Sequence, residues 1–311
     1  MILSELKKTS IGGQALIEGV MMRGPHISAM AVRKPDQTIH LKTWDTGGKK
    51  WYHHVPLLRG VLNFITMLVV GYRCLMESAE IAGMADAEEE PSKLEKWLAD
   101  HLGDHMTLVF NIVTGVLAVI ICLGLFMLLP ASIVKFLGTR LQAPTFVMTI
   151  LEGCIKIIIF ILYLFLVTRM KEIQRVFQYH GAEHKTIACY EAGEELTPEN
   201  ARKHTRFHPR CGTSFLLIVL VISIFVFSVL SWDNIWMRVV LKLVLLPVVV
   251  GVAYEIIKLA GRYSNPFTRM ISAPGLWLQR LTTFEPDDTM LEIAIAAMKP
   301  CIPENPKDDL Y

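Results

Sequence analysis

The chain has 311 residues, 52% of them hydrophobic and 19% charged, with a formal net charge of +2. The mean hydropathy is +0.41, and the apolar residues gather in long runs in the second half. That excludes an ordinary soluble domain and gives no basis for nucleic-acid binding; it predicts a mainly α integral membrane protein.

The N-terminus, Met1 to Lys8, lacks an apolar run after its charges, so no signal-peptide core is expected and the first hundred residues are expected in the cytoplasm. Residues 1–54 read as a small cytoplasmic β-rich unit. Gly12-Gly13 interrupts any helix. The stretch Gly12 to Pro25 is glycine-rich but has no phosphate-loop spacing. It reads as strand and turn, with Glu18 and Arg23 as the side chains able to line a site. Ser28–Arg33 and Thr38–Trp44 read as two strands joined by Lys34-Pro35-Asp36-Gln37, where proline suits the first central turn position.

Residues 55–107 form a membrane-associated helix and a linker. In 55–81 an apolar run carries Arg59, Asn63, Arg73 and Glu77, which predicts a helix that lies on the membrane or enters it only partly. Ala85 to Pro91 is an acidic, solvated linker.

Residues 108–299 form the membrane domain. Four spans are expected, at about 108–129, 146–167, 215–230 and 239–257, each near crossing length. Arg169, Lys171, Arg175, Lys185, Arg202, Lys203, Arg206 and Arg210 crowd the segment between the second and third spans. Lys135 and Arg140 alone mark the first connection. By the positive-inside rule, the 168–214 segment and both termini face the cytoplasm of a multi-pass protein of the cell membrane. Trp232 and Trp236 fit an outer interfacial belt. In the second span Glu152 and Lys156, four apart, read as an intrahelical ion pair, with an ion path as the functional alternative. The second span is expected to continue as a helix through Glu191. Pro266 and Pro274 break the chain after the fourth span. An amphipathic surface helix follows at 275–283, and a last helix, Thr289–Lys299, is capped by Asp287-Asp288. Residues 300–311 read as a flexible tail.

The chemistry concentrates in Tyr179-His180-Gly181-Ala182-Glu183-His184-Lys185. On a helix, His180, Glu183 and His184 share one face. The order H-x-x-E-H is that of the inverted zincins, in which the histidines bind zinc and the glutamate polarises its water. A third ligand must come from elsewhere. Glu255, a carboxylate inside an apolar helix, is the first candidate, with pairing to Lys258 or a nearby arginine as the alternative. His208 and Cys211, in His208-Pro209-Arg210-Cys211, are the competing set. Three ligands plus water make a catalytic centre, and four make a closed structural one. Gly181 inside the motif weakens the helix slightly and permits close approach of another backbone. The six cysteines are scattered with no disulfide framework, which favours a reduced compartment.

Gly12–Pro25, Tyr179–Lys185, His208–Phe215 and Thr282–Asp288 together resemble the YqhQ-like family, bacterial multi-pass membrane proteins built on a domain of unknown function. The resemblance implies a membrane location and one family-wide domain. The family is described as predicted metal-dependent enzymes, with no established substrate or catalytic set. From the residues, the expected function is a membrane-bound hydrolase using zinc or another divalent metal at the cytoplasmic face. His180 and His184 bind the metal, with Glu255 or His208 as third ligand, and Glu183 is the general base. The substrate is a peptide bond in a membrane protein or a lipid-linked molecule. The alternative is a non-enzymatic scaffold or regulator of a membrane partner, with a structural metal.

Overall fold

A computed structural model describes residues 8–48, 51–84, 106–141, 144–228, 235–263 and 265–309. The acidic linker at 85–91, Trp232 and the side chain of Trp236 lie outside the described residues.

The chain divides into two units, one of residues 1–84, 164–222 and 245–311, the other of 85–163 and 223–244. In the first unit, β1 (Gly12–Leu16), β2 (Gly19–Arg23), β3 (Ile27–Arg33) and β4 (Ile39–Asp45) form an antiparallel meander in the order β1-β2-β3-β4. The β3–β4 turn is the one expected from Lys34-Pro35-Asp36-Gln37, closed by Gln37 N–H to Lys34 O at 3.0 Å. The central strands β2 and β3 are buried on both faces, which explains why Val20-Met21-Met22 and Ala29–Val32 are apolar without alternation. Val20, Met22, Ala29 and Ala31 face one cluster. Leu16, Met21, Met30 and Val32 face another.

The helices of this unit are α1 (Leu58–Ile81), α5 (Lys171–Glu191), α6 (Pro198–Lys203), α9 (Pro266–Thr282) and α10 (Asp288–Met298). The first sheet face packs on Tyr179, Ala182, Ile187 and Cys189 of α5 and on Met290 to Met298 of α10. The second packs on Met67, Val70, Cys74, Leu75 and Ile81 of α1. The β unit, the motif segment and the last helix therefore share one core, where the sequence separates them into different segments. Asp287 caps α10 by accepting from Met290 N–H at 2.9 Å, as expected.

Three expectations need correction here. The helix of the second span does not continue to Glu191: it ends at Val167, Met170 is extended, and α5 starts afresh at Lys171. Pro274 does not break the chain, because α9 runs through it from Pro266, held at its start by an Asn265–Thr268 capping box. The tail is not loose as far as residue 309: the buried Asp309 carboxylate accepts from Thr9 Oγ1 at 2.5 Å and Tyr190 O–H at 2.9 Å.

The second unit and its continuations carry α2 (Met106–Leu123), a π-helical turn (Gly124–Leu128), α3 (Leu129–Leu141), α4 (Thr145–Val167), α7 (Gly212–Ser228) and α8 (Ile235–Arg262). The π turn lies just before Pro130, whose ring cannot fit a regular α-helical interior. Within this unit Glu152 is buried and accepts from Lys156 at 2.8 Å and from Lys242 at 2.5 Å. The expected ion pair is present, with Lys242 as a second cation.

Among the described residues, four helices are long and apolar enough to cross a membrane: Leu58–Ile81, Ile112–Gly138, Phe146–Val167 and Val240–Arg262. They mark a membrane protein. Helix α1 joins this group, whereas α7, expected as a span at 215–230, is a shorter apolar helix among the described residues, Gly212–Phe227.

Candidate metal centre

Helix α5 supplies His180, Glu183 and His184 from one face, and the rings of the two histidines lie 4.4 Å apart. The loop 204–211 approaches that face. Its conformation is fixed by Gln279 of α9, which is fully buried. Gln279 Nε2–H donates to His208 O at 2.7 Å and to Ser214 Oγ at 3.0 Å, while its Oε1 accepts from His208 N–H at 2.8 Å. This lock brings Cys211 to His180, Nε2 to Sγ, at 3.1 Å. The ligand atoms of His180, His184 and Cys211 all fall within 4.8 Å of one another.

The other ring nitrogens are already used. His180 Nδ1–H donates to Thr282 O at 2.8 Å, and His184 Nδ1–H donates to Arg206 O at 2.6 Å. Thr282 ends α9, so its carbonyl has no partner within the helix and is available. Both histidines thus have one nitrogen anchored to a backbone carbonyl and the other left for a ligand. That is the outer arrangement found around metal-binding imidazoles.

Glu183 is buried at 5% exposure. The backbone N–H of Gly13 favours its ionised form, and Glu183 is not one of the three converging residues. A Cβ on Gly13 would sit 3.0 Å from the Glu183 carboxyl carbon and 2.6 Å from Met21 O. Glycine is required there for strand and helix to approach. Burial pushes the Glu183 carboxyl up, and His184 and His180 oppose the shift without cancelling it. Burial raises the Cys211 thiol too, but His180 and His184 outweigh it and hold the thiol well below the ordinary cysteine range. Burial acts to deprotonate His180. The Cys211 sulfur and Glu183 overcome it and push His180 up to about 9. Each group thus favours the charged form of the other across the 3.1 Å contact, and thiolate and neutral imidazole are the forms that bind a metal.

The remaining expected residues are placed elsewhere. Glu255 is not one of the three converging residues: Arg59 of α1 grips its carboxylate through Nε at 2.7 Å and through Nη2, and Leu57 N–H donates to it at 3.3 Å. The arginine alternative is the one realised. His208 stands with its ring 5.5 Å from that of His184. Its Nε2 faces Arg210 at 3.3 Å and Glu191 at 3.8 Å, outside the three converging atoms. The third converging atom is the Cys211 sulfur. Among the described residues a second trio, Cys189, Glu194 and His204, also converges within 4.8 Å. There burial pushes the Cys189 thiol up, and no cation lowers it enough to compensate.

Gly181 is the expected close-approach point. A Cβ there would stand 2.0 Å from Phe284 O. The segment 282–285 is laced to α5 and the 202–206 loop. Phe284 N–H donates to Phe177 O at 2.9 Å. Arg206 Nε–H donates to Thr283 O at 3.1 Å, and the Glu285 carboxylate pairs with Lys185 at 2.9 Å and Arg206 at 2.6 Å. At the far end of α5, Glu18 binds Arg175 through both carboxylate oxygens and accepts from Tyr179 O–H at 3.2 Å. Glu18 holds a left-handed φ of 51° at the β1–β2 turn, so the expected site residue instead ties the hairpin to the motif helix.

Gln279, Thr282 and Gly13 were not singled out by the motif. Gly12-Gly13 and the C-terminal turn of an amphipathic helix were their signals, and both read equally well as backbone punctuation.

These features define a class: a helical membrane protein whose β-meander and last helix enclose a His-His-Cys cluster with a buried carboxylic acid beside it. The chain belongs to the family described as Protein of unknown function (DUF1385), which matches residues 55–304. It is similar to the uncharacterized protein YqhQ of Bacillus subtilis (strain 168), with 34% identity over 288 residues, 91% of this chain and 89% of that protein. No solved structure matches.

Proposed function

We propose that this protein is a membrane-bound hydrolase using zinc or another divalent metal at the cytoplasmic face, with His180, His184 and Cys211 as ligands and Glu183 as the proton-transfer group. The observation that carries this reading is the convergence of two Nε2 atoms and one thiolate, each imidazole anchored through Nδ1. The donor types fit zinc, and three protein ligands leave a position open, as catalytic centres do. A metal bound there supplies Lewis-acid chemistry, polarising an oxygen of the substrate. Glu183, buried and with its carboxyl pushed up, is suited to taking a proton from water and returning it to a leaving group near neutral pH.

The cytoplasmic assignment rests on the lysines and arginines of 168–214. Partial insertion of α1 is supported by its two faces. Met67 to Ile81 carry the sheet, while Ile65, Leu68, Val69, Tyr72 and Met76 are exposed at helical spacing. A helix with protein on one side and an apolar stripe on the other suits the membrane surface.

A second reading rests on the 3.1 Å contact between His180 and Cys211. A thiolate beside an oriented imidazolium is an activated nucleophile without any metal.

The test is paired. Glu183→Gln is expected to keep metal and melting temperature but to fail to restore function in cells lacking the protein. Cys211→Ser is expected to lose the metal. Metal-free wild type whose Cys211 is alkylated rapidly at pH 6 would favour the thiolate reading instead.

A further inference from the structure

Helix α5 ends in a tight turn. Gly193 holds a left-handed φ of 73°, and Glu194 N–H donates to Cys189 O at 3.2 Å, turning the chain back on the helix end. Helix α6 follows. Thr197 caps it by accepting from Asn200 N–H at 3.3 Å, and Asn200 Nδ2–H donates to Glu195 O at 3.0 Å. His204 comes just after α6 and is held by Lys185 of α5, whose Nζ donates to His204 O at 2.8 Å and to Arg202 O at 3.0 Å. These bonds gather a thiol, a carboxylate and an imidazole. The ligand atoms of Cys189, Glu194 and His204 lie within 4.8 Å of one another.

A second observation points to a ligand. His204 Nε2 is shut off from solvent and makes no hydrogen bond among the described residues. Glu194 Oε2 stands 3.3 Å from it, close enough for an ion pair but not aligned as a hydrogen bond. A hidden ring nitrogen without a hydrogen bond is costly. The Cys189 thiol makes a weak bond, to Glu195 O at 3.6 Å. A cation among the three would satisfy nitrogen, carboxylate and sulfur together. Glu194 is exposed while Cys189 is buried, so an ion has a route in from solvent. Sulfur, imidazole and carboxylate donors suit zinc, with a solvent water as fourth ligand.

We propose that Cys189, Glu194 and His204 form a second site, for a divalent transition metal of the zinc class, which pins the end of α5 to the loop after α6. Two residues beyond His204, Arg206 O anchors His184, so the site braces the loop that approaches the first cluster. It goes beyond the hydrolase reading and does not depend on it. Burial and the Glu194 carboxylate push the Cys189 thiol up. An incoming metal must therefore drive the thiol proton into solvent. That makes this site weaker than the first, filled by added metal rather than retained through purification.

The full-length Cys211→Ser chain, purified in dodecyl maltoside and stripped with chelator, is titrated with cobalt(II) and read by absorption. The Cys211 thiolate is gone, so a thiolate-to-cobalt charge-transfer band must come from another cysteine. The band is expected, and adding Cys189→Ser should abolish it. Adding His204→Gln should weaken binding by about tenfold or more, since losing even an outer partner of a ligand costs that much. Glu194→Gln, at an exposed position, should weaken it by a smaller factor. In chelator the chain with Cys211→Ser and His204→Gln should melt where Cys211→Ser alone does, which separates a lost ligand from a misfolded chain. No band in Cys211→Ser overturns the proposal. So does a band that survives Cys189→Ser or keeps its affinity in His204→Gln, and His204 and Glu194 are then a plain ion pair. Metal retained by wild type through purification reports on the first cluster, so failure of one site is distinct from failure of the other.

Discussion

Gly181→Ala separates helix propensity from packing. In an open helix this change stabilises by about 1 kcal/mol. Here the added methyl would stand 2.0 Å from Phe284 O, 3.2 Å from Phe284 C and 3.4 Å from Pro286 Cδ. Contacts below 3.0 Å are not tolerated, so the carbonyl must retreat by at least 1.0 Å. It is not free to do so, because Phe284 N–H is bound to Phe177 O at 2.9 Å. Overpacking against backbone and loss of that bond outweigh the propensity gain, leaving a net loss of about 2–3 kcal/mol. The shift also drags Thr282, whose carbonyl anchors His180. Denaturant titration of the purified protein in detergent reads the loss. Gly115→Ala, where nothing lies within 4 Å of the new methyl, serves as the control and should be neutral or mildly stabilising. A Gly181→Ala protein as stable as wild type would refute the close approach.

Glu255→Gln should cost about 1–3 kcal/mol, since Arg59 keeps a half-buried charge with a weaker partner. The same variant should retain its full metal content, and loss of metal would restore Glu255 as a ligand. Acid should destabilise the first unit through Asp287. Burial opposes ionisation of that cap, but its bonds from Thr289 and Met290 prevail and hold it below the ordinary carboxylate range. A depressed native pKa gives stability that is present above the unfolded value, about 3.9 for aspartate, and is lost as pH falls through the native one. Asp287→Asn keeps the cap acceptor without the charge. Its melting temperature should vary less between pH 5 and pH 2 than that of wild type, and an equal slope would contradict the assignment.

Local features were legible in the sequence. The Lys34–Gln37 turn, the shared face of His180, Glu183 and His184, the Asp287 cap and the Glu152–Lys156 pair each need only neighbouring residues and a known period. What was not legible depends on contacts far apart in the chain. Glu255 is claimed by Arg59, 196 residues earlier, and a charged residue in an apolar helix looks the same whether it binds a metal or an arginine. Cys211 rather than His208 converges on the two histidines, in a loop whose backbone Gln279, some seventy residues on, holds by its own hydrogen bonds. The tail looked loose because its composition is polar, yet Asp309 closes on Thr9 across 300 residues. The sheet looked like a separate unit because its strands are contiguous. Its apolar runs are continuous because α5 and α10 cover one face and α1 the other.

Metal content by elemental analysis of chain purified without chelator tests the central claim most directly. Stoichiometric zinc or another divalent metal in wild type, lost in His180→Ala, His184→Ala and Cys211→Ser but kept in Glu255→Gln and His208→Ala, is the predicted result. A wild type devoid of metal after reconstitution, or a Cys211→Ser variant that keeps it while His208→Ala loses it, would contradict the account.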